Sequence, residues 1–287
     1  PYGYDNQAPP PDTAVIHLIH QSLDLGINFI DTAPGYGRSE MLVGKACSHL
    51  LSRPTIATKL SITNPDGAQL IEGQALRDSI ELSLQQSLKT LGLETLDLVQ
   101  LHSLSTNFTT PELLDLLAQY TQRGWVRYWG VTTYGEEGPL EALSAGGRFR
   151  TVQLAYSALD RTLEHRVIPR LRDEGVGLIL RSMFLQGALS PVWTRLPEHL
   201  HDLRAACSQV AELAAQAGIS MAELALRFAV FQPRPAVAVF GTLSIEEIES
   251  NIAFIETGPL PPDLLRALDD VNVEDETQLN PGTWGHL

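Results

Sequence analysis

Apolar positions along the chain fall into two alternating spacings. From Thr13, the residues Val15, Ile16, Ile19, Leu23 and Leu25 recur at helical intervals and stop at Gly26, which predicts a helix with a glycine end. Residues 27–30 form a short continuous apolar run that stops at Asp31, which predicts a strand ending on a carboxylate. The Pro34-Gly35-Tyr36-Gly37 sequence reads as a loop, and Ser39 reads as the N-cap of a helix reaching about Leu50. A strand follows over 54–59, ending on Lys59. A turn is expected at Asn64-Pro65-Asp66-Gly67. Beyond it Leu76, Ile80, Leu84, Leu88 and Leu91 mark a long helix closed by Gly92. Residues 96–101 read as a strand with His102 directly after it.

The alternation continues to the end. A helix over 111–122 stops at Gly124, and a strand over 126–131 runs into Thr132 and Thr133. A short helix about Leu140 leads to a strand over 151–155, a helix over 163–173 and a strand over 176–180 that meets Arg181 and Ser182. A long connection carries helical segments over 199–217 and 220–231. A strand over 236–240 precedes Gly241-Thr242 and a helix over 244–255, then a last helix over 262–271.

Strand–helix units repeated at this spacing predict a parallel sheet with crossover helices. Several strands end on polar residues, which favours a closed (β/α)8 barrel, the TIM barrel, with its chemistry at the strands' carboxyl ends. Only seven strands are visible, and the first of the eight is expected to be missing from this sequence. An open doubly wound sheet is the alternative, but neither a Gly-x-Gly-x-x-Gly nor a Walker fingerprint occurs. The 287 residues suit a single barrel domain with an irregular lead over 1–12 and a polar tail over 274–287. The chain opens without methionine on a Pro-rich lead, so the native start is expected to lie elsewhere.

A net charge of −14, from 34 acids against 20 bases, argues against nucleic acid and anionic membrane as partners. No apolar run approaches the roughly 18 residues of a membrane span. Cys47 and Cys207 form no metal or redox spacing, so no metal site is expected and a cytoplasmic setting is. The assembly state cannot be read from sequence.

Asp31, Lys59 and His102 end three successive strands, and Tyr36 sits on the loop after the first. In a barrel these strand ends are neighbours. A free tyrosine has a pKa of about 10. A nearby ammonium favours its phenolate, and a carboxylate keeps that ammonium charged. A histidine alongside can hydrogen-bond the reacting oxygen. The set suits proton exchange with a carbonyl or alcohol oxygen. Each residue alone has a plainer reading as a turn, packing or surface group, although Lys59 is one of only three lysines.

The Asp31-Thr32-Ala33 strand end, Tyr36-Gly37, Ser39-Glu40 and Gly44, the Thr58-Lys59 end and the Leu-x-x-His element resemble the aldo-keto reductase superfamily, from about Thr13 to Asn251. The resemblance implies a catalytic tetrad at Asp31, Tyr36, Lys59 and His102, with the tyrosine as general acid and base. It implies an NAD(P)-dependent exchange of an aldehyde, ketone or sugar with its alcohol. A cofactor-binding regulatory or sensor subunit on the same scaffold is the alternative.

Gln153 matches the residue that holds the nicotinamide carboxamide. Thr132 and Thr133 stand where the family has Ser-Asn, and Arg181 where an aromatic commonly stacks on the nicotinamide. Ser182, Met183, Phe184, Gln186 and Gly187 resemble the loop over the pyrophosphate. Gly241 and Thr242, with Glu247 and Asn251 on the following helix, resemble the distal phosphate site. No Lys or Arg lies between 240 and 251, and a carboxylate at Glu247 repels a 2′-phosphate, so NAD(H) is expected over NADP(H). Trp193 and Trp284 are each read as a pocket wall or as a segment anchor. The acidic run Glu274-Asp275-Glu276 reads as solvated.

Overall fold

The computed structural model describes residues 10–64, 70–104 and 106–284. The expected turn at Asn64-Pro65-Asp66-Gly67 lies outside them for residues 65–67, as do most of the Pro-rich lead and the last three residues of the tail. The described chain forms two compact units, 10–154 with 165–179, and 155–164 with 180–284.

In the first unit helices and strands alternate as α1 (Asp12–Asp24), β1 (Phe29–Asp31), α2 (Ser39–Cys47), β2 (Thr55–Leu60), α3 (Gly73–Leu91), β3 (Leu96–Leu104), α4 (Pro111–Gln122), β4 (Val126–Thr133), α5 (Glu137–Ser144), β5 (Phe149–Ala155), α6 (Val167–Asp173) and β6 (Gly177–Arg181). The last residues of β5 and β6 belong to the second unit, which continues through α7 (His201–Gln216), α8 (Met221–Phe231), β7 (Val237–Ala238), α9 (Ile245–Glu256) and α10 (Pro262–Asp269).

The seven strands follow one another in the sheet in chain order, and the pairs from β1 to β5 are parallel. A doubly wound sheet reverses its strand order at a switch point. No reversal occurs here, so the open-sheet alternative is excluded and the singly wound order of a (β/α)8 barrel is the one observed.

Local chemistry explains most boundaries. Gly92 takes φ 68° after α3 and its N–H closes on the Leu88 carbonyl, a conformation that costs glycine no Cβ strain. Thr110 caps α4, with Pro111 at its first turn. Helix α2 crosses the end of α3 so closely that a Cβ on Gly44 would sit 2.8 Å from the carbonyl oxygens of Thr90 and Leu91. The core of this unit is drawn from Ile56, Val99, Leu101, Val131 and Val152 on the strands and from Ile80, Leu84 and Leu117 on the helices. Trp129 is buried and donates its indole N–H to Leu117 O and Thr121 Oγ1. At the start of β3 the buried Asp97 accepts from Arg53 through both oxygens and from the Ile56 N–H at 3.0 Å, with Arg127 at 3.4 Å.

In the second unit the buried Arg227 ties α8 to the turn before α10, donating to Gly258 O, Pro259 O and Glu223. Tyr156 stacks on Phe228 at 5.8 Å. Residues Glu274 to Glu276 are exposed, but the polar tail is folded beyond them. Trp284 is buried and donates to Gln278 O at 2.7 Å, while Gln278 accepts the Leu203 N–H. Trp284 therefore anchors its segment.

Several boundaries differ from the sequence reading, among them the following four. The N-cap of α2 is Arg38, because the Ser39 hydroxyl is engaged by Thr32 Oγ1 at 2.8 Å. Helix α6 begins at Val167, since Ser157 and Asp160 side chains hold the preceding segment in turns. Strand β7 shrinks to two residues. Strand β3 runs on to Leu104, so His102 lies within the strand, at a register shift between Leu101 and Leu104.

Candidate active site

The carboxyl ends of β1, β2 and β3 bring one cluster together. Asp31 closes β1. Lys59, on β2 and only 3% exposed, donates to Asp31 Oδ2 at 2.6 Å and to Thr32 O at 3.0 Å. These bonds occupy two of the three ammonium protons. The ammonium also lies 4.9 Å from the centroid of the Tyr36 ring, within cation–π range. Tyr36 is 38% exposed on its loop and so is open to an incoming molecule.

His102 is half-buried and sits at the irregular part of β3. A bulge of this kind re-aims side chains at a strand end. Asp31, Lys59 and Tyr36 are thus joined by direct contacts, and His102 is on the adjoining strand.

The structure also accounts for the rest of the signature. Thr32 bonds Ser39, and Glu40, buried on α2, accepts the Thr58 hydroxyl at 2.6 Å. Gly44 allows the α2–α3 approach described above. These residues lock β1, α2 and β2 together, and hold the loop bearing Tyr36 between fixed ends.

One residue of the cluster escaped the sequence reading. Gln100, fully buried on β3, donates its Nε2 to Asp31 Oδ1 at 2.9 Å. Its signal was present, since a polar residue two before His102 in an apolar strand points to the same face. Glu141 on α5 was missed as well. It accepts the N–H groups of Asn107, Phe108 and Thr109 and the Thr109 hydroxyl, fixing the loop after β3.

Further along the sheet, Thr132 on β4 and Gln153 on β5 are register partners, and Thr133 pairs with Leu104. Gln153 is 2% exposed, and its Nε2 has no hydrogen-bond partner among the described residues. A buried donor without an acceptor is costly unless a ligand oxygen completes it. The amide of Gln153 therefore fits a nicotinamide carboxamide.

In the second unit, Ser182, Leu185 and Gln186 all adopt positive φ, at 61°, 44° and 49°. These three non-glycine residues lie within the segment Ser182-Met183-Phe184-Leu185-Gln186-Gly187 and take a left-handed backbone conformation that costs L-residues steric strain. Arg181, just before it, donates to Ser182 Oγ at 3.3 Å. At α9, Ser244 is the N-cap, and its hydroxyl accepts the Glu247 N–H at 3.2 Å. Thr242 accepts the Ser244 N–H and donates its own hydroxyl to the Glu247 carboxylate. Glu247 is thus turned back over Gly241 and Thr242, and Asn251, one turn on, is buried.

The strand order is that of a barrel, and the contacts of Lys59 with Asp31, Thr32 and Tyr36 gather a polar cluster at its strand ends. A family model described as "Aldo/keto reductase family" matches residues 3–273, and the chain belongs to that family. It is an NAD(P)-dependent oxidoreductase. Among curated proteins it is similar to the uncharacterized oxidoreductase YqkF of Bacillus subtilis (strain 168), 24% identical over 280 residues, or 91% of this chain and 88% of that one.

Solved structures share its fold. Aldo-keto reductase AKR11C1 from Bacillus halodurans, in its holo form, matches with a TM-score of 0.76 at 24% identity, over 94% of this chain and 89% of that one. An aldo/keto reductase from Klebsiella pneumoniae in complex with NADP and acetate gives 0.70 at 21%, over 93% and 88%. The glycerol dehydrogenase AKR11B4 from Gluconobacter oxydans gives 0.72 at 25%, over 92% and 86%.

Proposed function

We propose that the protein interconverts an aldehyde or ketone with its alcohol, with Tyr36 as the proton donor and acceptor. The observation that carries this reading is the Lys59 ammonium, held by Asp31 and lying against the Tyr36 ring. When bound, the nicotinamide supplies hydride to the substrate carbon or takes it up. Tyr36 gives its hydroxyl proton to the carbonyl oxygen in reduction and takes it back in oxidation. Lys59 stabilises the negative charge left on the phenolic oxygen, and Asp31 keeps Lys59 charged and aimed. His102 orients the reacting oxygen by hydrogen bonding.

Gln153 offers its unpartnered amide to the carboxamide, with Thr132 beside it. Ser182, Met183, Phe184, Gln186 and Gly187 are assigned to the pyrophosphate, and Gly241, Thr242 and Asn251 to the distal end of the cofactor. Glu247 supports NAD(H) over NADP(H), because its carboxylate stands at the mouth of that segment with no Lys or Arg between 240 and 251. An NAD preference suits oxidation of a sugar or polyol, and the Gluconobacter relative is named as a glycerol dehydrogenase.

Arg181 favours a second reading, a cofactor-binding sensor with little turnover, because a guanidinium is unfavourable beside an oxidised nicotinamide. Turnover of the parent protein on a panel of carbonyls and sugars separates the two, and replacement of Tyr36 by Phe then tests the mechanism. Loss of turnover on glyceraldehyde and glycerol, with NADH binding unchanged in a fluorescence titration, supports the enzyme. Turnover equal to that of the parent protein removes Tyr36 from the mechanism.

A further inference from the structure

The geometry points to Gln100 as a positioning residue for the reaction, one that fixes the Asp31 carboxylate and through it the Lys59 ammonium. This inference rests on the acid–base reading given above. Lys59 and Gln100 are direct register partners on β2 and β3, and Asp31 on β1 pairs with Ala57, two residues before Lys59. Lysine and glutamine therefore reach the same carboxylate from neighbouring strands. Lys59 takes Oδ2 at 2.6 Å and Gln100 takes Oδ1 at 2.9 Å. With one donor on each oxygen, the carboxylate cannot rotate about its terminal bond without breaking both bonds.

Stability alone does not explain a glutamine here. Its Oε1 is buried and has no partner among the described residues, which is a cost to folding. Turning the amide over would set that oxygen against the Asp31 carboxylate, so the orientation is dictated by Asp31. What the residue contributes is a neutral donor. A second cation would compete with Lys59 for the carboxylate, and a second carboxylate would compete with Asp31 for the ammonium.

The test uses the full chain with Gln100→Glu and Gln100→Leu. A Glu at this position can donate to Asp31 as the glutamine does only while it carries its proton. The charged and titratable groups about it are Asp31 on β1, Lys59 on β2, His102 on its own strand and Tyr36 on the loop; Glu40 is engaged by Thr58. Because the Lys59 ammonium is already bonded to Asp31 and to Thr32 O, we expect burial beside the Asp31 carboxylate to outweigh its pull and to raise the folded-state pKa of the new carboxyl above its unfolded value of about 4.3. Its contribution to stability is then fully present below that value and is lost as pH rises through the folded value.

We expect the Tm gap between Gln100→Glu and the parent protein to widen from pH 5 to pH 8. We also expect kcat relative to the parent protein to fall over the same range, on glyceraldehyde with NADH and NADPH. Gln100→Leu should lower kcat at least about tenfold at every pH, with KM nearly unchanged, as loss of alignment does. A Tm gap and a kcat ratio that are both flat with pH would overturn the inference, and the Tm profile reads this without any substrate. Tyr36→Phe in the same assay keeps the two failures apart. Parent-level turnover there defeats the acid–base reading itself, whereas lost turnover with flat Gln100→Glu profiles defeats only the role of Gln100.

Discussion

Lys59 lies over Tyr36, its ammonium 4.9 Å from the ring centroid, while its protons are held by Asp31 and the Thr32 carbonyl. The cation is therefore anchored by the carboxylate and the carbonyl and lies against the Tyr36 ring. Replacing Lys59 by Met should lower kcat by about 10²- to 10³-fold. Because a positive charge favours phenolate, its loss should also move the acidic limb of the oxidative pH–rate profile to higher pH. Steady-state rates from pH 6 to 10 check both effects, and an unmoved limb would show that the charge of Lys59 does not act on Tyr36.

At the opposite end of β3, Asp97 sets an acid limit on stability. Burial by itself would raise its carboxyl pKa, but the Arg53 guanidinium, the Ile56 N–H and Arg127 outweigh burial and hold it below the ordinary carboxylate value. A depressed folded pKa means stabilisation that is present above about 3.9 and is lost as pH falls through the lower folded value. Asp97→Asn should cost about 2 to 4 kcal/mol at pH 7 in urea unfolding. The difference from the parent protein should shrink towards pH 3, and a pH-independent difference would rule out the ionic account.

Gly44 should tolerate no side chain. Alanine there would place its Cβ 2.8 Å from two backbone oxygens at the end of α3, and backbone cannot swing aside as a flexible side chain can. Gly44→Ala is expected to destabilise by about 1 to 3 kcal/mol, the usual cost of overpacking. Thermal unfolding measures it, and an unchanged Tm would mean that α2 shifts freely on α3.

Glu247→Gln probes cofactor choice without disturbing the cap, since Ser244 and Thr242 keep their bonds to backbone N–H groups. Removing the carboxylate should tighten NADPH binding about fivefold and leave NADH nearly unchanged, the scale of one solvent-exposed charge pair. Paired fluorescence titrations decide it. Equal gains for both cofactors would place Glu247 away from the 2′-phosphate.

The strand ending on Asp31, the strand carrying Lys59, the glycine stops at Gly26, Gly92 and Gly124, and the strand–helix alternation were all legible in the amino-acid sequence. Each is a local property. Apolar spacing sets helix or strand, and glycine marks the left-handed ends, with no knowledge of what lies across the sheet. The signature residues were legible for the same reason, since Asp31 to Gly44 is one strand, one loop and one helix.

Tertiary structure decided what no local pattern holds. Gln100 reaches Asp31 across 69 residues of chain, and Trp284 buries itself in a segment whose composition reads as a solvated tail. Glu141 gathers three backbone N–H groups from a loop more than thirty residues before it. These partnerships follow from strand register and from the need of buried polar groups to find partners through space, and only the folded chain brings those groups within reach.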